Sequence, residues 1–323
     1  MRSLAATLLT LLLLATTAQA AEVYALRDGE GLRDVVIGPD GKLWLFTSAN
    51  FNPLSEVVVG SDGRFWFGTS GGVSAVDING NRTNYPTDHS VTSVSAAPYG
   101  GVWYALTTPQ IGYVDARGDA SQRTAPTNTP FDIAVAADGT VWLTQMYAAN
   151  AVYRISPSGQ VTTLTLPVRC YFGRITPAAD ATVWITSVES STIAHLDAGG
   201  RLLELVKVPK DATWDVRPIL AADGALWLGE QNGLLRIANG VTTRYALPAP
   251  TFCSYAFYRY VPRVQAADGS LWVSRELVSV ISADGPAKCN NVSPTLAESQ
   301  TLVMRVDPAS LVADHPARRR TLR

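Results

Sequence analysis

Apolar positions along this chain fall in short runs broken by turn signals, without the three-to-four spacing of amphipathic helices. The recurring unit is an apolar strand, an Asp-Gly pair and a second apolar strand centred on tryptophan. It reads Val35-Val36-Ile37, Asp40-Gly41, Trp44, and again Val57-Val58-Val59, Asp62-Gly63, Trp66. It returns at Ile133 to Val135 with Asp138-Gly139 and Trp142, at Leu220 with Asp223-Gly224 and Trp227, and at Val264 with Asp268-Gly269 and Trp272. Two copies have altered turns, Tyr99-Gly100-Gly101 before Trp103 and Asp180-Ala181 before Trp184. In every copy the tryptophan follows the first turn residue by four positions.

Asp-Gly supplies the positive φ that tight hairpins require, so each unit predicts a β-hairpin whose second strand carries the tryptophan. After the first pair, successive tryptophans lie 37 to 45 residues apart, the length of one four-stranded blade. Second halves are legible in Val73-Ser74-Ala75-Val76-Asp77 before Asn79-Gly80, and in Leu234-Leu235-Arg236-Ile237 before Asn239-Gly240. A blade cannot bury both faces alone, so the sheets must stack radially and close. The reading is an all-β fold, a β-propeller of about seven four-stranded blades. Trp44 and Trp66 are only 22 residues apart, which leaves six blades with an extra hairpin as the alternative. Glu22-Val23-Tyr24-Ala25-Leu26 resembles the outer strand Thr243-Arg244-Tyr245-Ala246-Leu247, and is expected to close the last blade from the N-terminus.

The N-terminus adds a destination. Arg2, the apolar run Leu4 to Ala15 and the small-residue pattern Ala18-Gln19-Ala20 read as a secretory signal cleaved between Ala20 and Ala21. Residues 1–20 are then the signal peptide and 21–323 a single propeller domain, secreted or periplasmic and expected to be monomeric. No later stretch approaches the roughly 20 apolar residues of a spanning helix. A formal charge of −1 excludes general capture of nucleic acid, which rests on neutralising phosphates. The tail Arg318-Arg319-Arg320 with Arg323 reads as a solvated end.

The blade Val141-Trp142-Leu143-Thr144-Gln145, Ala151-Val152-Tyr153-Arg154-Ile155 and Gly159-Gln160-Val161-Thr162-Thr163-Leu164-Thr165-Leu166-Pro167 resembles the repeat of the virginiamycin B (streptogramin B) lyases. The similarity runs in diluted form over residues 33–283. The blades from Trp66 to Tyr85 and from Trp227 to Tyr245 are closer to the propeller repeats of two-component-regulator sensors. The lyase resemblance implies carbon–oxygen elimination on a cyclic depsipeptide, with histidines at the starts of inner strands, glutamates at the ends of tryptophan strands, and magnesium. It implies Glu276 and Glu230 as the catalytic carboxylates. At the Trp-x-x-Glu position the chain carries Thr47, Thr69, Leu106, Gln145, Ser187, Glu230 and Arg275, and Pro262-Arg263 stands where the family has Pro-His. Arginine stays protonated at neutral pH and cannot act as a base. The three histidines, His89, His195 and His315, all lie outside the inner-strand starts.

The connections into the inner strands carry Arg169-Cys170-Tyr171-Phe172, Trp214-Asp215-Val216-Arg217 and an aromatic run from Phe252 to Tyr260 with Arg259. Aromatic faces interleaved with arginines suit a flat or anionic organic ligand. This gives Arg263, Arg217, Tyr171, Arg169, Tyr258 and Arg259 as candidate ligand-binding residues. Three cysteines in an exported chain imply one disulfide, for which Cys253 with Cys289 is preferred. Two functions stay open: a binding or interaction propeller for a small organic or anionic ligand or another protein, and a divergent lyase or hydrolase using Glu276 and Glu230.

Overall fold

Each of the seven tryptophan repeats folds as the hairpin that its spacing predicts. The computed structural model describes residues 22–27, 30–147, 150–169, 173–187, 190–210, 212, 217–249, 256–279 and 300–316. The chain opens with β1 (Val23–Ala25) and a hairpin of β2 (Leu32–Ile37) and β3 (Leu43–Thr47). The first blade contains β4 (Val58–Val59), β5 (Phe65–Thr69), β6 (Gly72–Val76) and β7 (Arg82–Pro86). The second contains β8 (Val91–Ala96), β9 (Val102–Leu106), β10 (Gln110–Val114) and β11 (Ala120–Thr124). The third contains β12 (Pro130–Val135), β13 (Val141–Gln145), β14 (Ala151–Ile155) and β15 (Val161–Thr165).

The fourth blade contains β16 (Ile175–Pro177), β17 (Val183–Ser187), β18 (Thr192–Leu196) and β19 (Leu202–Lys207). The fifth contains β20 (Ile219–Leu220), β21 (Leu226–Glu230), β22 (Gly233–Ala238) and β23 (Val241–Ala246). The sixth contains β24 (Ala256–Gln265), β25 (Leu271–Ser279) and β26 (Leu302–Val306), and β27 (Ala313–Pro316) ends the described chain. Within each blade the strands are antiparallel neighbours in chain order.

The N-terminus closes the ring as its sequence suggests, because β1 is the outermost strand of the sixth blade, with Tyr24 opposite Val303 on β26. Of the two blade counts that the repeat allows, six with an extra hairpin is the one found, not seven. Six blades are four-stranded, and the β2–β3 hairpin remains a two-stranded wedge between the sixth blade and the first. The segment Ser48 to Val57 is too short for two more strands and their turns. β27 adds a fifth strand to the outer edge of β23, covering hydrogen-bonding groups that an edge strand would otherwise expose. The aromatic stretch up to Tyr260 also differs from the loop expected of it, since Phe257 to Tyr260 belong to β24. That strand and β25 run nine to ten residues, past the length of the other hairpins, and project at one end of the channel.

Packing follows from the repeat. Seven apolar clusters each join one sheet to the next around the ring, and Trp66, Trp142 and Trp227 are almost wholly buried in them. The four-residue turn-to-tryptophan spacing has a polar reason as well. The Asp40 and Asp62 carboxylates accept the indole N–H of Trp44 and Trp66, each at 3.1 Å, and the Tyr99 hydroxyl does so for Trp103 at 2.7 Å. In the altered turn Ala181 is held at φ 65, a left-handed conformation that costs a non-glycine residue and persists because the hairpin around it imposes it. Trp184 above that turn stacks on His195, ring centroids 3.8 Å apart, so this half-buried histidine belongs to β18, the third strand of its blade, and not to an inner-strand start. Burial holds its imidazole below the usual range and favours the neutral ring. Trp142→Ala should lower stability by about 3–5 kcal/mol, as for truncation of a large buried aromatic, read from the shift in a denaturant midpoint.

Candidate functional site

Six residues before the first turn residue, the inner strands of the repeats begin with Asp34, Glu56, Ser93, Asp132, Arg174 and Arg217. In the sixth blade a bulge puts Arg263 at the same place one residue later. These seven side chains do two jobs. Asp34, Ser93 and Asp132 clasp one sheet to the next. Asp34 Oδ2 accepts from Val57 N at 2.7 Å, Ser93 Oγ from Ile133 N at 3.1 Å, and Asp132 Oδ2 from Ile175 N at 2.7 Å. In each case the donor is the residue just after the ring position of the following sheet.

The others compensate charge across the channel. The Arg217 guanidinium donates to both oxygens of Asp132, at 2.8 and 3.0 Å, and its Nε lies 3.3 Å from Glu56 Oε2. Its backbone N–H also donates to Glu56 Oε1 at 3.2 Å, between residues 161 apart in sequence. Arg174 lies 3.5 Å from Asp132 Oδ1 and its guanidinium sits 4.5 Å above the Phe131 ring. Ser93 Oγ donates to Asp132 Oδ1 at 2.7 Å. Asp132 has no exposed surface, and burial alone would raise its pKa. The charges of Arg217 and Arg174, with the Ser93 and Ile175 donors, outweigh that and hold it below the usual carboxylate range.

Asp34 behaves in the opposite way. Burial pushes its carboxyl up to about 6, although Arg263 and the Val57 and Val35 amides pull it down. Its two oxygens are each occupied by a backbone donor, Val35 N at 2.8 Å and Val57 N at 2.7 Å.

Above this ring lies a cavity of about 610 Å³, lined by Arg33, Glu56, Arg174, Arg259, Arg263 and Glu276 with Leu32, Leu54 and Leu277. Glu276 sits on the projecting part of β25 opposite Arg259 on β24, which is why the two meet at 2.5 Å. Arg263 reaches the other oxygen of Glu276 at 3.3 Å and donates through Nε to Ser274 Oγ at 2.9 Å. The cavity therefore gathers Glu276, Arg259 and Arg263 from among the residues that the sequence singles out, with Arg217 bonded beneath it.

Glu230 is not brought to it. Its buried carboxylate is held by Arg244 at 2.6 and 2.7 Å, in a separate depression of about 360 Å³ with Asn232, Ala246 and Leu247. Tyr258 is core, buried against its neighbours with the Arg275 guanidinium 4.2 Å over its ring. Arg169 is exposed, and its carbonyl accepts from Ser187 Oγ. Tyr171, Cys253 and Cys289 lie outside the described residues. Arg174, Asp132, Asp34 and Glu56 become legible in the sequence only when the repeats are aligned on the turn, which exposes the ring position, and no repeat signal marks Arg33.

A magnesium site does not fit this donor set. Among the described residues no three His, Cys, Asp or Glu side chains converge. Glu276 and Glu230 each face arginine through both oxygens, and Asp34 and Asp132 are taken by amides and guanidinium.

Two measurements check these electrostatics. The Asp34 carboxyl carbon should titrate by NMR with a midpoint of about 6, and R263Q should move that midpoint upward because a lowering charge is removed. Since the folded pKa exceeds the unfolded one, the Asp34 contribution to stability falls as pH rises from about 4 to 6. Asp132→Asn should cost about 3–5 kcal/mol at pH 7 in chemical unfolding, because it leaves buried arginine charge uncompensated.

Comparison with known proteins agrees with this architecture. The model of the virginiamycin B lyase family matches residues 48–315. A virginiamycin B lyase of Nocardia farcinica is 31% identical over 165 residues, which cover 50% of this chain and 57% of that protein, so the match spans little more than half of the curated relative. A solved streptogramin B lyase superposes with a TM-score of 0.65 at 18% identity, covering 89% of this chain and 97% of that one. A catalytically inactive virginiamycin B lyase of Staphylococcus aureus with quinupristin gives 0.65 and 18% over 89% and 99% of the two chains. The extracellular domain of a hybrid two-component system of B. thetaiotaomicron gives 0.56 at 12% identity, over 83% of this chain and 48% of that one. At these identities the solved structures speak for the fold alone. The sequence match over most of the chain goes further, and the protein belongs to the virginiamycin B lyase family.

Proposed function

We propose that this propeller is an exported binding protein that holds a small ligand at the channel mouth without opening a depsipeptide ring. The observation that carries the reading is the ring of inner-strand starts. Where the family resemblance implies histidines, the chain presents Asp34, Glu56, Ser93, Asp132, Arg174, Arg217 and Arg263, each engaged in a clasp or an ion pair. Elimination needs a base that can take a proton and a group that stabilises the departing oxygen. Arginine cannot be the base. Glu276 bridges two guanidinium groups, so accepting a proton would forfeit two charge-assisted contacts.

Catalysis as a second reading is favoured by one observation, the raised pKa of Asp34 in the ring of inner-strand starts. Against it, both Asp34 oxygens are filled by amide donors, Val57 N from the next sheet and Val35 N from its own strand, and the side chain is buried. Export rests on the N-terminal pattern ending in Ala18-Gln19-Ala20; among the described residues no helix is long and apolar enough to cross a membrane.

Incubation of purified protein with a streptogramin B and magnesium, followed by mass spectrometry, should leave the ring intact. Ring opening that E276Q abolishes would overturn the binding reading and establish a lyase.

A further inference from the structure

Two arginines of the cavity are each the more distant of two guanidinium partners on a carboxylate. Asp132 gives its oxygens to Arg217 at 2.8 and 3.0 Å, to Ser93 at 2.7 Å and to Ile175 N at 2.7 Å, so Arg174 is left at 3.5 Å. A carboxylate offers about four lone-pair sites, and these four bonds fill them. Glu276 is held by Arg259 at 2.5 Å, and Arg263 lies farther off at 3.3 Å. Both second claimants are well covered by protein, with side-chain exposures of 18% for Arg174 and 9% for Arg263. The Nε of Arg174 is buried without a hydrogen-bond partner, a condition that a native structure rarely leaves unexplained.

The two guanidinium groups line the same cavity. Counting its charged lining, Arg33, Arg174, Arg259 and Arg263 face Glu56 and Glu276, a local surplus of arginine in a chain whose formal charge is −1. Mostly buried guanidinium with incomplete compensation is unfavourable until an anion supplies the missing acceptors, and planar N–H pairs match carboxylate or phosphate oxygens. Arg174 is also seated over Phe131, which fixes its plane before a ligand arrives. The cavity volume lies in the range of small-molecule sites.

We infer that the channel mouth is a receptor for a small organic acid bearing at least two negative groups, anchored by Arg174 and Arg263. This deepens the binding function proposed above and rests on it. The probe is citrate, with acetate as the single-charge control, titrated calorimetrically into the purified full-length protein at low salt. Citrate should bind at least tenfold more tightly than acetate, and rising salt should weaken it. R174Q and R263Q should each reduce citrate affinity at least tenfold, while R174K, which keeps the charge and loses the planar fork, should fall between. R201Q is the surface control, since the exposed Arg201 pairs with Asp197 and does not line the cavity, and it should bind citrate like the wild type. Circular dichroism checks the fold of each variant; if R174Q unfolds, the R174K and R263Q titrations decide.

No citrate binding at 10 mM, or equal weakening by R174Q and R201Q, would overturn the inference. The same samples exposed to a streptogramin B separate the two readings. An intact ring with no citrate binding removes the organic-acid inference alone, whereas an opened ring removes the binding reading beneath it.

Discussion

The whole molecule depends on sheets that cannot bury their own faces. Each blade presents apolar side chains on both sides, and only the neighbouring sheets can cover them, so the ring is stable when every seam is filled. Seven seams are filled here, including the two on either side of the hairpin that departs from a four-stranded blade. The β2–β3 hairpin keeps its place because phenylalanines compensate for its missing strands: Phe46, Phe65 and Phe67 pack edge to face on its first-blade side. On the other side Val35 meets Trp272 and Val303, with Tyr24 of the closing strand against Trp272. Ring closure and hairpin insertion therefore share one apolar cluster.

That constraint shapes the chemistry of the channel. The inner-strand start is the position nearest the axis on which a side chain can reach the next sheet, and three of the seven such residues use it to accept a backbone N–H from that sheet. An acidic residue suits this, because a carboxylate can take the amide with one oxygen and leave the other for a guanidinium. Once Asp34, Glu56 and Asp132 occupy ring positions, opposing charge is required to lower the cost of burying them, and Arg174, Arg217 and Arg263 supply it. The polar axis is thus a consequence of how the sheets are fastened. The mouth above it inherits the imbalance, with carboxylates satisfied at the ring and arginines in excess at the rim.

The two glutamates that resemblance singles out meet different fates for a geometric reason. Both stand near the ends of tryptophan strands, but the sixth-blade hairpin is longer than the fifth and carries Glu276 over the channel. Glu230 ends its strand where β22 turns back at Gly233, and Arg244 of the outer strand covers it. Strand length, which the turn signals do not specify, separates a cavity residue from a residue buried in its own blade.

The hairpin repeat, the all-β ring and its closure by Val23–Ala25 were legible in the chain, because turns, short apolar runs and tryptophan spacing are local properties of a strand pair. It also held the meeting of Arg263 with Glu276, since both lie in one hairpin. It left the choice between seven and six four-stranded blades open, and there the short segment after Thr47 decided. Contacts between blades settle which arginines share a cavity, that Asp132 belongs to Arg217 of another blade, and that Tyr258 is core. Those outcomes depend on contacts across the axis between residues as far as 161 positions apart, and on burial that no local pattern encodes. The repeat fixes where each inner strand begins, but the ring that these starts form exists only after the last blade has met the first.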